Sequence, residues 1–375
     1  MLSARRYLFL AVLVLLAYCA AIAPKFIRNG LDPSIFIEAG DKFVDGSRAI
    51  VPIKILKNSD GYDGQFYYRF ALAPFDISQP GYGITIDNPP YRMQRIVYPV
   101  LAWLLSAGQP RFTAWAMLFT NLLGLVAIVC FAFRLSEQLQ LSRTVPVLVS
   151  LWPGFLIALN RSTTEIVAAA FLLATIESYI ANRIWLYALL ATLTLLTRET
   201  SVFIFAGIFC AELLQRKSFH SLAARGLPIV IDEAWRNVLK HLWHRPFLVN
   251  GNFTWPLLGL LQAIAAAFAL PKLGDTTYVL GGIGFIVVFC FLVASSNFKR
   301  WREPLVFGWF SLLGLMSVLS RTGGPWIEPT GFFRAFTECY AIGVFLLPNQ
   351  IARRVGPFAI ISLAMLWYAT IRNLP

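Results

Sequence analysis

Long apolar runs separated by short polar turns fill most of the chain. They lie at about Phe112 to Phe133, Val145 to Leu159, Ile166 to Ala181, Ile184 to Leu196, Ser201 to Leu214, Trp255 to Leu270, Tyr278 to Ser295, Leu305 to Leu319, Glu338 to Leu347 and Val355 to Ile371. Such runs read as transmembrane helices, the shorter ones with soft boundaries, because a perpendicular span needs about 20 residues. An earlier run, Tyr7 to Pro24, follows Arg5 and Arg6 and carries small residues near its end, as a signal peptide does. With so many runs behind it, it reads as a retained first helix whose N-terminus is cytoplasmic.

The segment IVYPVLAWLLSAG, Ile96 to Gly108, breaks this pattern. A full span there would invert the orientation of everything that follows. Laid along the membrane surface, it leaves Arg134, Arg143, Arg183, Arg216, Lys217, Arg225, Arg236, Lys240, Arg245, Lys299, Arg300, Arg302, Arg353 and Arg354 on the side of Arg5 and Arg6. That is the asymmetry of the positive-inside rule, and it gives an all-α polytopic membrane protein of about eleven spans. The whole chain, 1–375, reads as one integral-membrane domain with a first outer loop, 25–111, that carries surface helices. In the connection 216–250, IDEAWRNVLKHLWHR repeats its apolar positions every three or four residues, which predicts an amphipathic helix on the cytoplasmic face. His241 and His244 there could share a helix face as metal ligands or form a solvated polar face.

Composition sharpens the class. Of 375 residues, 58% are hydrophobic and only 14% charged, against roughly a quarter charged in soluble domains. The formal charge of +13 punctuates the apolar runs and forms no basic, aromatic-interleaved stretch, so it excludes a nucleic-acid partner. The five cysteines fall in separate apolar segments without metal-ligand spacing, which predicts neither disulfides nor a zinc site.

In this arrangement no histidine or cysteine faces outward, so a general base there is an Asp or Glu. Asp63, in SDGYDGQFYYRFALAPF, has Gly61 and Gly64 close by, leaving room for a substrate to approach the backbone. Equally, Asp63 could cap a short helix. Glu165 in RSTTE either caps a span or joins a site. Arg198 and Glu199 in TRET are adjacent, so on a helix they point about 100° apart and need separate partners. Charge that close to hydrocarbon marks function. Arg92 and Arg95 either anchor a surface helix to headgroups or contact substrate.

GYDGQFYYRFALAPF, then YRMQRIVYPVLAWLLSAG, then LTRETS, resembles bacterial integral-membrane glycosyltransferases of the GT-C superfamily, particularly those of cell-surface glycopolymer formation. DNPPYRMQRIVYPVLAWLL is similar to the surface helix after the His-Pro-Pro motif of protein O-mannosyltransferases. The chain departs from those enzymes, with Asp63-Gly64 for their Asp-Glu pair, Asn88 for their His, and Ala73 where an acid is expected. The resemblance therefore implies the superfamily and not protein O-mannosylation.

What it implies is a sugar moved, with inversion, from a polyprenyl-phosphate donor to a glycan, lipid or protein acceptor at the outer face of the bacterial cytoplasmic membrane. Asp63 would be the base; Arg92, Arg95, Arg198 and Arg334 would hold the donor phosphate; Glu165, Glu199, Gln65 and Tyr67 are secondary candidates. No carboxylate cluster has ligand spacing, and a divalent cation stays open as a cofactor. The rival readings are a polysaccharide polymerase or ligase using a pyrophosphate lipid, and a non-enzymatic lipid or glycan transporter.

Overall fold

The structure is a computed structural model that describes residues 2–245, 251–322 and 324–374, and it is mostly helical. Helix α1 (Leu2–Arg28) leads into a cap of irregular segments, two short parallel strands, β1 (Ala39–Gly40) and β2 (Ile55–Leu56), and three small helices, α2 (Gly64–Leu72), α3 (Pro89–Met93) and α4 (Val97–Leu105). At nine residues α4 is too short to cross a bilayer. It packs on α2 and on α5 (Pro110–Gln138), and Tyr98 reaches the Met117 carbonyl of α5 at 3.2 Å.

Proline sets several boundaries. Pro110 opens α5 at a position where its missing N–H is no loss. Pro153 divides the apolar run 145–159 into α6 (Thr144–Ser150) and α7 (Pro153–Asn160), because the residue before a proline avoids the helical region. Trp152, at that break, is extended and fully buried, and its indole N–H donates to the Phe333 carbonyl at 3.0 Å. Then follow α8 (Glu165–Ile180), α9 (Ile184–Leu195), α10 (Val202–Leu214), α11 (Phe219–Trp243), α12 (Leu258–Ala267), α13 (Leu273–Asn297), α14 (Pro304–Ser317), α15 (Pro329–Ala335), α16 (Thr337–Leu346) and α17 (Asn349–Asn373).

Among the described residues four helical stretches are long and apolar enough to cross a membrane: Leu8–Arg28, Pro110–Gln138, Leu273–Arg300 and Asn349–Asn373. The shorter helices pack among them around one extensive core that includes Trp152, Trp309, Phe205 and Tyr340. Phe268, Phe291, Phe358 and Met365 are among the large apolar side chains left on the outside, as suits a lipid-facing surface.

The two ends of this bundle differ. One holds Arg134 on Glu177 at 2.7 Å. The other holds the cap and a dense set of ion pairs.

The connection 216–250 departs from the sequence expectation. Helix α11 does not lie along one end; it runs beside α9 and joins both. Near its start Arg225 stacks on the rings of Tyr179 and Tyr187, at 4.7 and 4.1 Å, and sits 3.6 Å from Glu212. Near its finish Leu239 is buried with Phe66, Phe70, Met93 and Ile96, and the Trp243 indole donates to the Met93 sulfur at 3.2 Å. Twenty-five residues of α-helix reach about 37 Å, enough to link the two ends. His241 and His244, with Arg236 and Lys240, therefore stand toward the cap end, and the expectation that no histidine lies on that side does not hold.

The run Trp255 to Leu270 also differs. The chain there pairs with the end of α14 through Thr254 N–H to the Val318 carbonyl at 2.8 Å. The ten-residue α12 then stays against Leu319 and Trp326, and the Ala267 carbonyl accepts from Thr276 in the first turn of α13 at 3.0 Å. Both of its ends thus remain on the cap side. An amphipathic stripe cannot distinguish a helix on a membrane surface from one laid along a bundle, since each buries a single face.

Candidate functional site

The residues nominated from sequence converge at the cap end. Asp63 begins this assembly. It stands before α2 in helical conformation and makes no capping hydrogen bond, so the cap reading fails. Its side chain, 22% exposed, instead accepts from Arg92 Nη1 through Oδ1 at 2.7 Å and from Arg334 Nη2 through Oδ2 at 3.0 Å.

The neighbouring glycines serve packing within the protein rather than access to a ligand. A Cβ on Gly64 would strike the Arg161 carbonyl and come within 2.7 Å of the Ile37 carbonyl. Gly61 has φ of +63°, and a Cβ there would lie 2.6 Å from the Glu38 carbonyl. The Tyr62 N–H donates to that carbonyl at 2.9 Å. Gln65 staples the same turn: it accepts from Gly40 N–H at 3.0 Å and donates to the Asp60 carbonyl at 2.8 Å. Its part is structural, and it lies outside the ion-pair chain.

From Asp63 the charges continue in both directions. Arg92, supplied by α3, also grips Asp87 through Nε at 2.9 Å and Nη2 at 2.7 Å. Arg334, on α15, donates through Nε to Glu165 Oε1 at 2.8 Å. Glu165 opens α8 and accepts from the Thr163 hydroxyl at 2.5 Å. Arg198 follows, 3.4 Å from Glu165 Oε1 and 3.1 Å from Glu338 Oε1. The Thr200 hydroxyl completes the run by donating to Glu338 at 3.0 Å. Arg198 is 6% exposed, yet its Nε and Nη1 have no aligned hydrogen-bond partner, so its charge is balanced while its donors are not.

Beside this chain, Arg95 forks onto Glu199 through Nε at 2.7 Å and Nη2 at 2.5 Å. Its Nη1 donates to the Tyr67 hydroxyl at 2.8 Å. Both nominated arginines of the surface segment therefore turn inward, and neither serves as a headgroup anchor. Bidentate geometry of this kind is the strongest common form of ion pair.

A second group was not placed in the site from sequence, where Glu38 and Glu328 stand only among the many outer-face acids that could serve as a base. Glu38 bridges Lys25 at 2.9 Å and Arg161 at 3.0 Å, and Arg161 reaches Glu328 at 3.4 Å. The ring of Tyr62 touches both groups, 4.0 Å from the Arg161 guanidinium carbon and 4.8 Å from that of Arg334. Tyr62 stands inside the motif that singled out Asp63, and Arg161 inside RSTTE. A residue's place in a motif does not reveal which ring stacks on which cation.

The electrostatics follow from geometry. Burial raises the Asp63 carboxyl, but the Arg92 and Arg334 guanidiniums outweigh it and hold the group well below the ordinary carboxylate range. Burial likewise opposes ionisation of Glu199, and Arg95 brings it down to about 2. Burial pushes the Tyr67 phenol up to about 12 despite the adjacent Arg95. Four guanidiniums, of Arg92, Arg95, Arg198 and Arg334, thus face the carboxyl groups of Asp63, Asp87, Glu165, Glu199 and Glu338. Apart from the unaligned donors of Arg198, such a set binds an anion by exchanging a carboxylate for it. Among the described residues no three His, Cys, Asp or Glu side chains come together as a metal site.

The chain matches no protein-family model, no curated protein and no solved structure with which it was compared.

Proposed function

We propose that this protein is a membrane glycosyltransferase of GT-C type, moving a sugar from a polyprenyl-phosphate donor to a cell-envelope glycan, lipid or protein. The cap end would face the periplasm across a bacterial cytoplasmic membrane. In this reading α11 takes the crossing that the sequence had given to Trp255–Leu270, so the count of about eleven spans and the orientation of both termini are kept.

One observation carries the proposal: Asp63 divides its two oxygens between Arg92 and Arg334 at the meeting point of the cap, α3 and α15. Buried charge held in such a chain costs several kcal/mol per ion in desolvation, which its attraction only partly offsets. A structural role alone would be served as well by apolar packing.

As it rests, Asp63 is too weak a base to take a proton from a sugar hydroxyl. Donor binding supplies the change. The donor phosphate takes over guanidinium contacts from the carboxylate, with the unaligned donors of Arg198 ready for more, and Asp63 recovers basicity as its partners turn away. The acceptor oxygen then attacks the anomeric carbon while its proton passes to Asp63. The bond from that carbon to the phosphate oxygen breaks, its electrons stay on the leaving group, and the phosphate gains one negative charge. Arginines holding that phosphate stabilise the transition state more than the ground state. Attack opposite the leaving phosphate inverts the anomeric centre.

A transporter would need its charges along a path through the bundle, whereas these lie together at one end. The deciding experiment supplies purified protein in nanodiscs with polyprenyl-phosphate sugars and an envelope glycan fraction, and follows release of polyprenyl phosphate. Release that depends on acceptor supports transfer. Turnover only of a pyrophosphate-linked oligosaccharide would favour the polymerase or ligase reading.

A further inference from the structure

A large cavity lies away from the ion-pair site. It is a groove of about 1160 Å³ between α13 and α17, floored by α16. Its lining is almost wholly apolar, with Phe285, Val288, Phe289 and Leu292 from α13 and Ala359, Met365 and Ala369 from α17. Tyr278 lines it near the cap end, its hydroxyl 2.8 Å from that of Thr370 behind it.

Three glycines shape the half nearer the cap. A Cβ added to Gly274, Gly281 or Gly284 would meet nothing within 4 Å, so each missing side chain enlarges the groove instead of allowing helices to touch. Gly282, by contrast, faces the other way, against Phe332 and Phe333 of α15. Helix α13 and those two rings therefore separate the groove from Arg334.

At the cap end the groove's lining includes Lys272 and Arg372, both exposed, with one acid, Asp275. Net positive charge at the mouth of an apolar trench matches one ligand chemistry: an anionic headgroup with hydrocarbon tails. Depth selects further. From Gly274 to Gly284 the helix rises about 15 Å, half the roughly 30 Å hydrocarbon thickness of a bilayer. Beyond Gly284 the aromatic side chains of Phe285 and Phe289 narrow the trench.

We infer that this groove binds an anionic phospholipid of the cap-side leaflet, its phosphate held by Lys272 and Arg372 and its chains over Gly281 and Gly284. The site is distinct from the ion-pair site and does not depend on the proposed reaction.

The test uses delipidated full-length protein in detergent, with dioleoyl phosphatidylglycerol and dioleoyl phosphatidylcholine as probes. Bound lipid is counted by native mass spectrometry, and thermal stability is followed in parallel. Wild-type protein should retain the anionic lipid preferentially, by about five-fold for each basic residue engaged. Lys272→Ala with Arg372→Ala should erase that preference while keeping residual binding of both lipids. Gly281→Leu with Gly284→Leu should abolish retention of both; these changes fill open space and suit a helix better than glycine, so the fold should survive them. Equal retention of the two lipids by wild-type protein would overturn the headgroup assignment. Unchanged retention in the leucine variant, preference for a polyprenyl phosphate over phosphatidylglycerol, or a dimer that the leucine variant dissolves would overturn the site.

Discussion

Asp63 and Arg334 stand 271 positions apart in the chain and meet at 3.0 Å, Oδ2 to Nη2. The contact joins the first helix of the cap to the helix before α16. Its other oxygen gives Asp63 a second guanidinium from α3, so one carboxylate ties together three separate segments.

Replacing Asp63 by asparagine keeps the shape and removes both the charge and the proton acceptor. Turnover should fall about 10²- to 10⁴-fold. Because Asp63 caps no helix, Asp63→Ala should be no worse in activity than Asp63→Asn. Asp60→Asn should be mild, since that carboxylate is 71% exposed and meets only Lys42 among the ion pairs. Sugar transfer measured on the three variants checks the order; wild-type turnover in Asp63→Asn removes the catalytic assignment.

Arg334→Gln should destabilise the protein by about 3–5 kcal/mol, because Asp63 and Glu165 lose a shared buried cation. Combined with Asp63→Asn, the loss should be smaller than the sum of the single losses, since each change removes the charge that the other leaves unpaired. Thermal unfolding in detergent gives the cycle. Additive losses would mean that the pair is not coupled, whatever their distance.

The depressed Asp63 pKa fixes the sign of a pH effect. The folded protein holds this carboxylate ionised more strongly than the unfolded chain does, so its contribution is present above about pH 4, the unfolded value. It is lost as pH falls toward the lower folded value. Wild-type stability should therefore decline below about pH 4 more steeply than that of Asp63→Asn. Parallel curves in the acid range would show that Asp63 is not held this way.

Cysteines placed at Lys217 and His244, on either side of α11, should react with membrane-impermeant reagents from opposite faces of a sealed vesicle. Gln109→Cys, at an exposed position after α4, should behave as His244→Cys does. Labelling of Lys217→Cys and His244→Cys from one face would return α11 to the membrane surface and undo the revised topology.

Much of this arrangement was legible in the residues. The long apolar runs announced α5, α13 and α17, and the surface reading of Ile96 to Gly108 agrees with a nine-residue α4 packed on α2. Asp63, Glu165, Arg198 and Arg334 were chosen one at a time and lie in one chain of contacts. Other features were out of reach. Glu38 is one outer-face acid among many, Lys25 and Tyr62 carry no signal beyond their polarity, and the roles of all three depend on which segments the fold brings together. For α11 the sequence gives one apolar stripe with two possible partners, lipid or protein. Gly64 was read as room for a ligand, and the room is filled by the Arg161 backbone.

The ring of Tyr62 has a consequence for how the chain can vary. It lies against the guanidiniums of both Arg161 and Arg334, so a shift of either disturbs a ring that the other also touches. Amino-acid replacements at Glu38 or Lys25, far from Asp63 in sequence, would thus be felt by Arg334 through an uncharged intermediary. Positions 25, 38, 62, 161 and 334 are linked by direct contact, so the effects of replacements among them should not simply add.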